Sequence, residues 1–200
     1  MMRSTLRTCI AAIMICASVP ETTQTSDSST TTSALSQLMS AIKGDDNAKA
    51  KRILKQHNVN LQSEGCVINY AEDDTPVTLY FTPLQFAALK GNAELVEYLL
   101  THFNVDPNIQ SKGGVTPLHL AAEYGGIETV QTLLNDPRTN SLLQMVTGTT
   151  ARDSIKLAMF FNPDKNHIWH MLTQHMTRTT LTDLYHHLSY MHDALLHIET

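Results

Sequence analysis

Cysteine is scarce in this 200-residue chain: Cys9, Cys16 and Cys66 are the whole supply. Two of the three lie in the first eighteen residues. If that segment is removed, one cysteine remains and no internal disulfide can form, so the fold rests on packing even in an oxidising compartment. Charge is sparse too. Charged residues make up 16% of the chain, the net charge is -5, and there is no long basic run, which argues against a nucleic-acid partner. No HExxH, metal-spaced cysteine pair, nucleophile elbow, phosphate-binding glycine loop or carboxylate pair stands out. Lys112-Gly113-Gly114 is explained by a turn. The expectation is therefore a protein that is not an enzyme, with no catalytic residue, no cofactor and no metal. The longest apolar run, Cys9 to Val19, is too short to span a bilayer, so no stable membrane insertion of the mature chain is expected.

That run has a meaning of its own. Arg3 and Arg7 precede it, no acidic residue occurs before Glu21, and small residues follow at Ala17 and Ser18. This is the order of a secretory signal peptide over residues 1–18, with cleavage expected between about residues 18 and 24. A mitochondrial targeting segment shares the basic, acid-poor character; the compact apolar run favours the secretory reading, and a secreted or periplasmic location. Ile15 before Cys16 speaks against lipidation, because a small residue is needed there. Cleavage would take Arg3 and Arg7 and shift the net charge from -5 to -7. Residues 19–34, rich in Ser and Thr, read as a flexible linker.

From Leu35 the pattern changes. Leu35, Leu38, Met39 and Ile42 share one helix face. Further on the chain repeats itself. Thr82-Pro83-Leu84-Gln85-Phe86-Ala87-Ala88 returns 34 residues later as Thr116-Pro117-Leu118-His119-Leu120-Ala121-Ala122. Gly91 returns as Gly125 and Leu99-Leu100 as Leu133-Leu134, at the same offset. A degenerate third copy begins at Thr150-Ala151. An upstream copy is recoverable, with Ile53-Leu54 in the place of Leu99-Leu100. The threonines can cap helices, proline at the first helical position loses no hydrogen bond, the alanines allow close helix approach, and Gly91 and Gly125 permit a left-handed helix end. Leu95, Val96, Leu99 and Leu100, and then Ile127, Val130, Leu133 and Leu134, form the apolar stripes of second helices.

On these residues the chain resembles the ankyrin-repeat family, TPLHLAAEYGG and TPLQFAALKGN being the segments that carry the likeness. The resemblance implies an all-α solenoid with short β-hairpin loops. Repeats are expected near 35–62, 81–114, 115–148 and 149–177, an insertion at 63–80, and a separate capping helix at 178–200, all in one domain from 35 to 200. In the last repeat a helix is expected near Ala151 to Phe160, a turn at Asn162-Pro163-Asp164, and a restart at Ile168. Leu181, Leu184, Leu188, Met191 and Leu195 mark the capping helix. The family binds proteins through hairpin tips and first-helix residues on its concave surface. By resemblance the exposed positions here are Phe86, Leu89, Lys90, Lys112, Glu123 and Tyr124. His119 is expected to bond Thr116 across one turn.

The insertion is the departure from the family. Val59 lies 23 positions before Thr82, while Val105 lies 11 before Thr116. The added residues include two strand-forming runs, 66–70 and 77–81, around Glu72-Asp73-Asp74-Thr75-Pro76, and predict an extended hairpin with an acidic tip. Tyr70, Glu72, Asp73, Asp74 and Tyr80 join the candidate partner-binding residues. The expected function is binding of a partner protein, as an exported, monomeric adaptor, effector or regulator. The alternative is a hydrolase or metal-binding protein using His167, His170, His175, His186, His187, His192 and His197, although the ligand set is diffuse.

Overall fold

The computed structural model describes residues 29–63, 68–70, 77–111, 113–156 and 163–196, with side chains described over 34–63, 80–111, 113–156 and 164–182. The expected signal peptide, and the linker as far as residue 28, lie outside the described residues.

Helices come in pairs that stack in two layers. The first-helix layer holds α1 (Ser29–Lys43), α3 (Pro83–Lys90), α5 (Pro117–Leu120, running on into a π turn at Ala121–Gly125) and α7 (Ala151–Ser154). The second-helix layer holds α2 (Asn47–Gln56), α4 (Ala93–Phe103), α6 (Ile127–Asn135) and α8 (Pro163–Leu196). Within each layer a helix packs on its counterpart in the next repeat, α1 on α3, α3 on α5, α4 on α6 and α6 on α8. The core runs between the layers, through Leu38, Met39, Leu84, Leu95, Leu99, Leu118, Leu133, Ile155 and Ile168, all buried. Burial of these stripes on several successive faces holds the stack together.

Local chemistry sets the helix starts. Thr82, Thr116 and Thr150 each cap a first helix by accepting the N–H of the residue three on, Gln85, His119 or Asp153, at 3.3 Å. Gln85 and His119 return a bond to the threonine N–H, completing a capping box. Gly91 ends α3 at φ +75°, as expected. Gly125 does not follow it. The positive φ, +92°, falls on Gly126, because the π turn adds a residue before the chain reverses. Glycine at 125 has another cause: a Cβ there would lie 2.3 Å from the Ala88 carbonyl oxygen of the previous repeat.

Three further expectations are corrected. Helix α1 begins at Ser29, so the last residues read as linker, from 29 on, are helical; a packed helix propagates into weak helix formers at little cost. Pro163 starts a helix instead of sitting inside a turn. That helix then runs unbroken for 34 residues, so no separate capping helix starts near 178. Residues 164–196 contain neither glycine nor proline, and nothing in them stops a helix. In the insertion, β1 (Ile68–Tyr70) and β2 (Val77–Leu79) pair antiparallel, with Tyr70 opposite Val77.

Candidate interaction surface

The first helices are short and covered on several sides. In α3 every side chain from Pro83 to Ala88 is buried. Phe86, expected to be exposed, is 1% accessible. It lies 34 residues before Leu120, which is buried as well, and the helices packed around α3 leave no outward face at this position. Side chains emerge where α3 ends. Leu89 is half-buried against the core and Lys90 is exposed. One repeat later Glu123 is half-buried and Tyr124 is 37% exposed. The two pairs hold equivalent positions, so four of the expected residues form part of one surface. Tyr80, 52% exposed, leads out of β2. The side chain of Tyr70, and Glu72, Asp73, Asp74 and Lys112 altogether, lie outside the described residues.

The loops between repeats are tied into a ribbon. The Val146 N–H donates to the Gly113 carbonyl at 3.1 Å, linking successive loop tips. The Gln110 amide donates to the Gly114 and Gln144 carbonyls. Val146 itself is 71% exposed. Sequence reading missed this residue, although its place in the loop of a repeat would have signalled it.

Below the ribbon, polar side chains of the capping boxes bridge repeats. His119 Nδ1 accepts from the Thr116 hydroxyl at 2.8 Å, so the ring proton sits on Nε2 and is donated to the Thr149 carbonyl at 3.2 Å. The expected Thr116 bond is present, and the Thr149 bond adds a link to the next repeat. Gln85, 34 residues earlier, does the same work: its Nε2 donates to the Val115 carbonyl at 2.9 Å. Each spans 30 residues. Burial holds the His119 imidazole below its ordinary pKa, as its role as a neutral bridge requires. Asp153 has the corresponding place in the third copy. Burial works to raise its carboxyl, but the Thr150 hydroxyl, Lys156 and Arg152 outweigh it and bring the pKa down to about 2.

The π turn carries a feature with no signal in the sequence. Lys165, in the first turn of α8, is 8% accessible. Its ammonium donates to the Ala122 carbonyl at 2.6 Å and the Glu123 carbonyl at 2.7 Å. A π turn leaves carbonyls without their usual helical partners, and a cation near a helix C-terminus suits them and the dipole. Burial pushes the Glu123 carboxyl up to about 7, against the pull of Lys165 and a bond from Tyr124. Burial lowers Lys165 in turn. The partners of Lys165 lie 42 and 43 positions upstream, beyond reach of any local pattern.

Among the described residues the C-terminal histidines do not form a cluster of three. His167 and His170 are exposed on α8, and His175 Nδ1 bonds the buried Ser141 hydroxyl at 2.9 Å. The side chains of His186, His187 and His192, and the whole of His197, lie outside the described residues. Among the described residues no group of three or more His, Cys, Asp or Glu could hold a metal ion, and no helix is long and apolar enough to cross a membrane.

Comparison with known proteins bears on this surface. The family model for ankyrin repeats matches residues 38–142 in three copies, just over half of the chain. Among curated proteins, the human transient receptor potential cation channel subfamily A member 1 is 45% identical over 62 residues, 31% of this chain and 6% of its own. The Drosophila melanogaster transient receptor potential channel pyrexia is 37% identical over 80 residues, 40% of this chain and 8% of its own. The Caenorhabditis elegans homolog of the subfamily A member 1 channel is 30% identical over 101 residues, 48% and 8% respectively. The matched stretches thus span under a tenth of each of these relatives' length.

Proposed function

The chain belongs to the ankyrin-repeat family, whose members are generally protein–protein interaction modules, and from that premise we propose that it is an exported adaptor, effector or regulator that binds a partner protein along its first-helix surface and inserted hairpin. The observation that carries the reading is the matched pair of outlets, Leu89-Lys90 and Glu123-Tyr124, set one repeat apart on a rigid stack. An amphipathic tyrosine in the middle of such a surface suits the anchor of an interface. The paired strands β1 and β2 support a second point of contact, since a lone two-stranded ribbon is marginal in water and gains from a surface to rest on. The acidic residues Glu72 to Asp74 suit a basic patch on that partner and would mainly speed association. Export rests on the basic start and apolar run of residues 1–18. Similarity to channels over so small a share of their length carries no transport activity to this chain.

The test is capture with a photo-crosslinking residue at position 124, followed by affinity measurement against the crosslinked protein. Tyr124→Ala, and separately replacement of the hairpin by a short glycine turn, should each weaken binding at least about tenfold, or ~1.4 kcal/mol. Unchanged affinity in both folded variants would remove this surface as the binding site. N-terminal sequencing of the exported protein tests export; an intact Met1 would refute it.

A further inference from the structure

We propose that the outer face of α2 is a second docking surface, and that it takes an acidic protein segment. In its ten residues, α2 carries Lys49, Lys51, Arg52 and Lys55 and no acidic residue. With Lys43 just upstream, five of the chain's fourteen basic residues fall within thirteen positions of a protein whose net charge is -5. Lys51 is engaged by Glu94, and its ammonium lies 5.0 Å from the centre of the Tyr98 ring. Lys49, Arg52 and Lys55 are exposed, and among the described residues no side-chain bond engages any of the three. Their spacing of three and three places them along one side of the helix.

Two observations set this stripe apart from an ordinary solvated face. The first is position. Asp46 caps α2 by accepting the Lys49 N–H, as Asn92 caps α4 by accepting the Leu95 N–H. Lys49 therefore stands at the register where Leu95 is fully buried, and Arg52 stands where Tyr98 is half-buried against the core. Among the described residues the stripe occupies the end of the stack, on the face that in later repeats receives a neighbour. A polar end closes the stack, but polarity of either sign would serve. The second observation is cost. Lys49 with Arg52, Arg52 with Lys55, and Lys51 with Lys55 are like-charge pairs at helical spacing, and Lys49 lies in the first turn, where the helix dipole disfavours a cation. The neighbouring repeats do without such a run: α4 has Glu94 and Glu97, and α6 has Glu128, with no lysine or arginine in either. A cap made only for solubility would not concentrate repulsion in one helix.

The surroundings select the occupant. The stripe runs from Lys49 to Lys55, seven residues and about 9 Å of helix axis. Asp45 and Asp46 stand at its start and Glu94 stands beside Lys51. A broad anionic plane such as a bilayer, or a long duplex, would meet these carboxylates as well as the cations. A narrow acidic helix or strand of a protein meets the cations alone. The surface lies in the second-helix layer and is independent of the Tyr124 face.

The experiment measures binding of a labelled Glu-rich peptide to the full chain by fluorescence anisotropy, at low and at physiological ionic strength. Parallel arms use vesicles containing phosphatidylserine and a DNA duplex. Lys49→Glu/Arg52→Glu should weaken peptide binding at least about tenfold. The charge-matched Lys156→Glu/Arg178→Glu should change it by less than about threefold, because those cations lie elsewhere. Arg52→Glu alone converts two like-charge pairs into opposite pairs, so its thermal midpoint should rise while binding falls. A merely structural arginine would not move stability and binding in opposite directions. The proposal is overturned if the peptide does not bind, if both double variants lose affinity equally, if vesicles or duplex bind more tightly than the peptide, or if Arg52→Glu lowers the midpoint.

Discussion

Replacing Gly125 by alanine isolates the close approach of successive first helices. A Cβ on Gly125 would stand 2.3 Å from the Ala88 carbonyl oxygen and 3.5 Å from the Ala121 Cβ. The nearer obstacle is backbone in the middle of the stack, so it cannot swing aside as a flexible side chain would. Relief to ordinary contact requires the second and third repeats to separate by about an ångström, in a core that tolerates overpacking poorly. Such insertions cost about 1–3 kcal/mol. Alanine recovers roughly 0.5–1 kcal/mol of backbone entropy relative to glycine. A contact this short draws on the upper end of that cost, so the net loss is about 2–2.5 kcal/mol, or ~4–10 °C in melting temperature for a chain of this size. Two other glycines separate the causes. Gly126→Ala meets nothing within 4 Å, and only its φ of +92° opposes the change, so its loss is conformational. Gly44→Ala meets carbonyl oxygens at 3.6 and 3.8 Å, ordinary contact, and should be neutral or slightly stabilising. Urea melts followed by circular dichroism give all three values. A Gly125→Ala midpoint equal to or above that of the parent chain would refute the steric account and leave the glycine unexplained.

Leu133→Ala opens a cavity at a fully buried site between α6 and its neighbours and should destabilise by about 2–5 kcal/mol in the same assay. His119→Gln should keep most of the parent stability, since Gln85 makes the equivalent carbonyl bridge, whereas His119→Ala leaves both ends of the bridge open and should be clearly less stable. With its folded pKa below the unfolded value, His119 contributes stability that is present above about pH 6.5 and is lost as pH falls below it; His119→Gln should flatten that acid limb of a melting-temperature profile. Glu123 acts with the opposite sign. Its pKa rises on folding from 4.5 to about 7, so its contribution is full below 4.5 and is lost as pH rises through 7. Glu123→Gln should remove that decline, and an unchanged profile would show the carboxylate to be solvated.

Much of this protein is legible in the sequence because much of it is local and periodic. Thr116, Pro117 and Leu118 specify a helix start through groups within four residues of one another. The 34-residue offset by itself puts Leu99, Leu118 and Leu133 in the core, since stacked copies must bury the same stripe. The capping role of His119 follows from the same motif. The unbroken last helix is also within reach of the sequence, as residues 164–196 contain no helix breaker. Tertiary structure alone decides the rest. Phe86 is buried because helices close around α3, which no pattern along the chain displays. Gly125 is needed for the Ala88 carbonyl of another repeat, while Gly126 takes the left-handed bend. The π turn keeps its form beside Lys165, whose bonds reach back more than forty residues. Periodicity reports which face of a helix is apolar; which neighbour covers that face, and where a polar group finds its partner, depends on contacts between segments that share no local sequence.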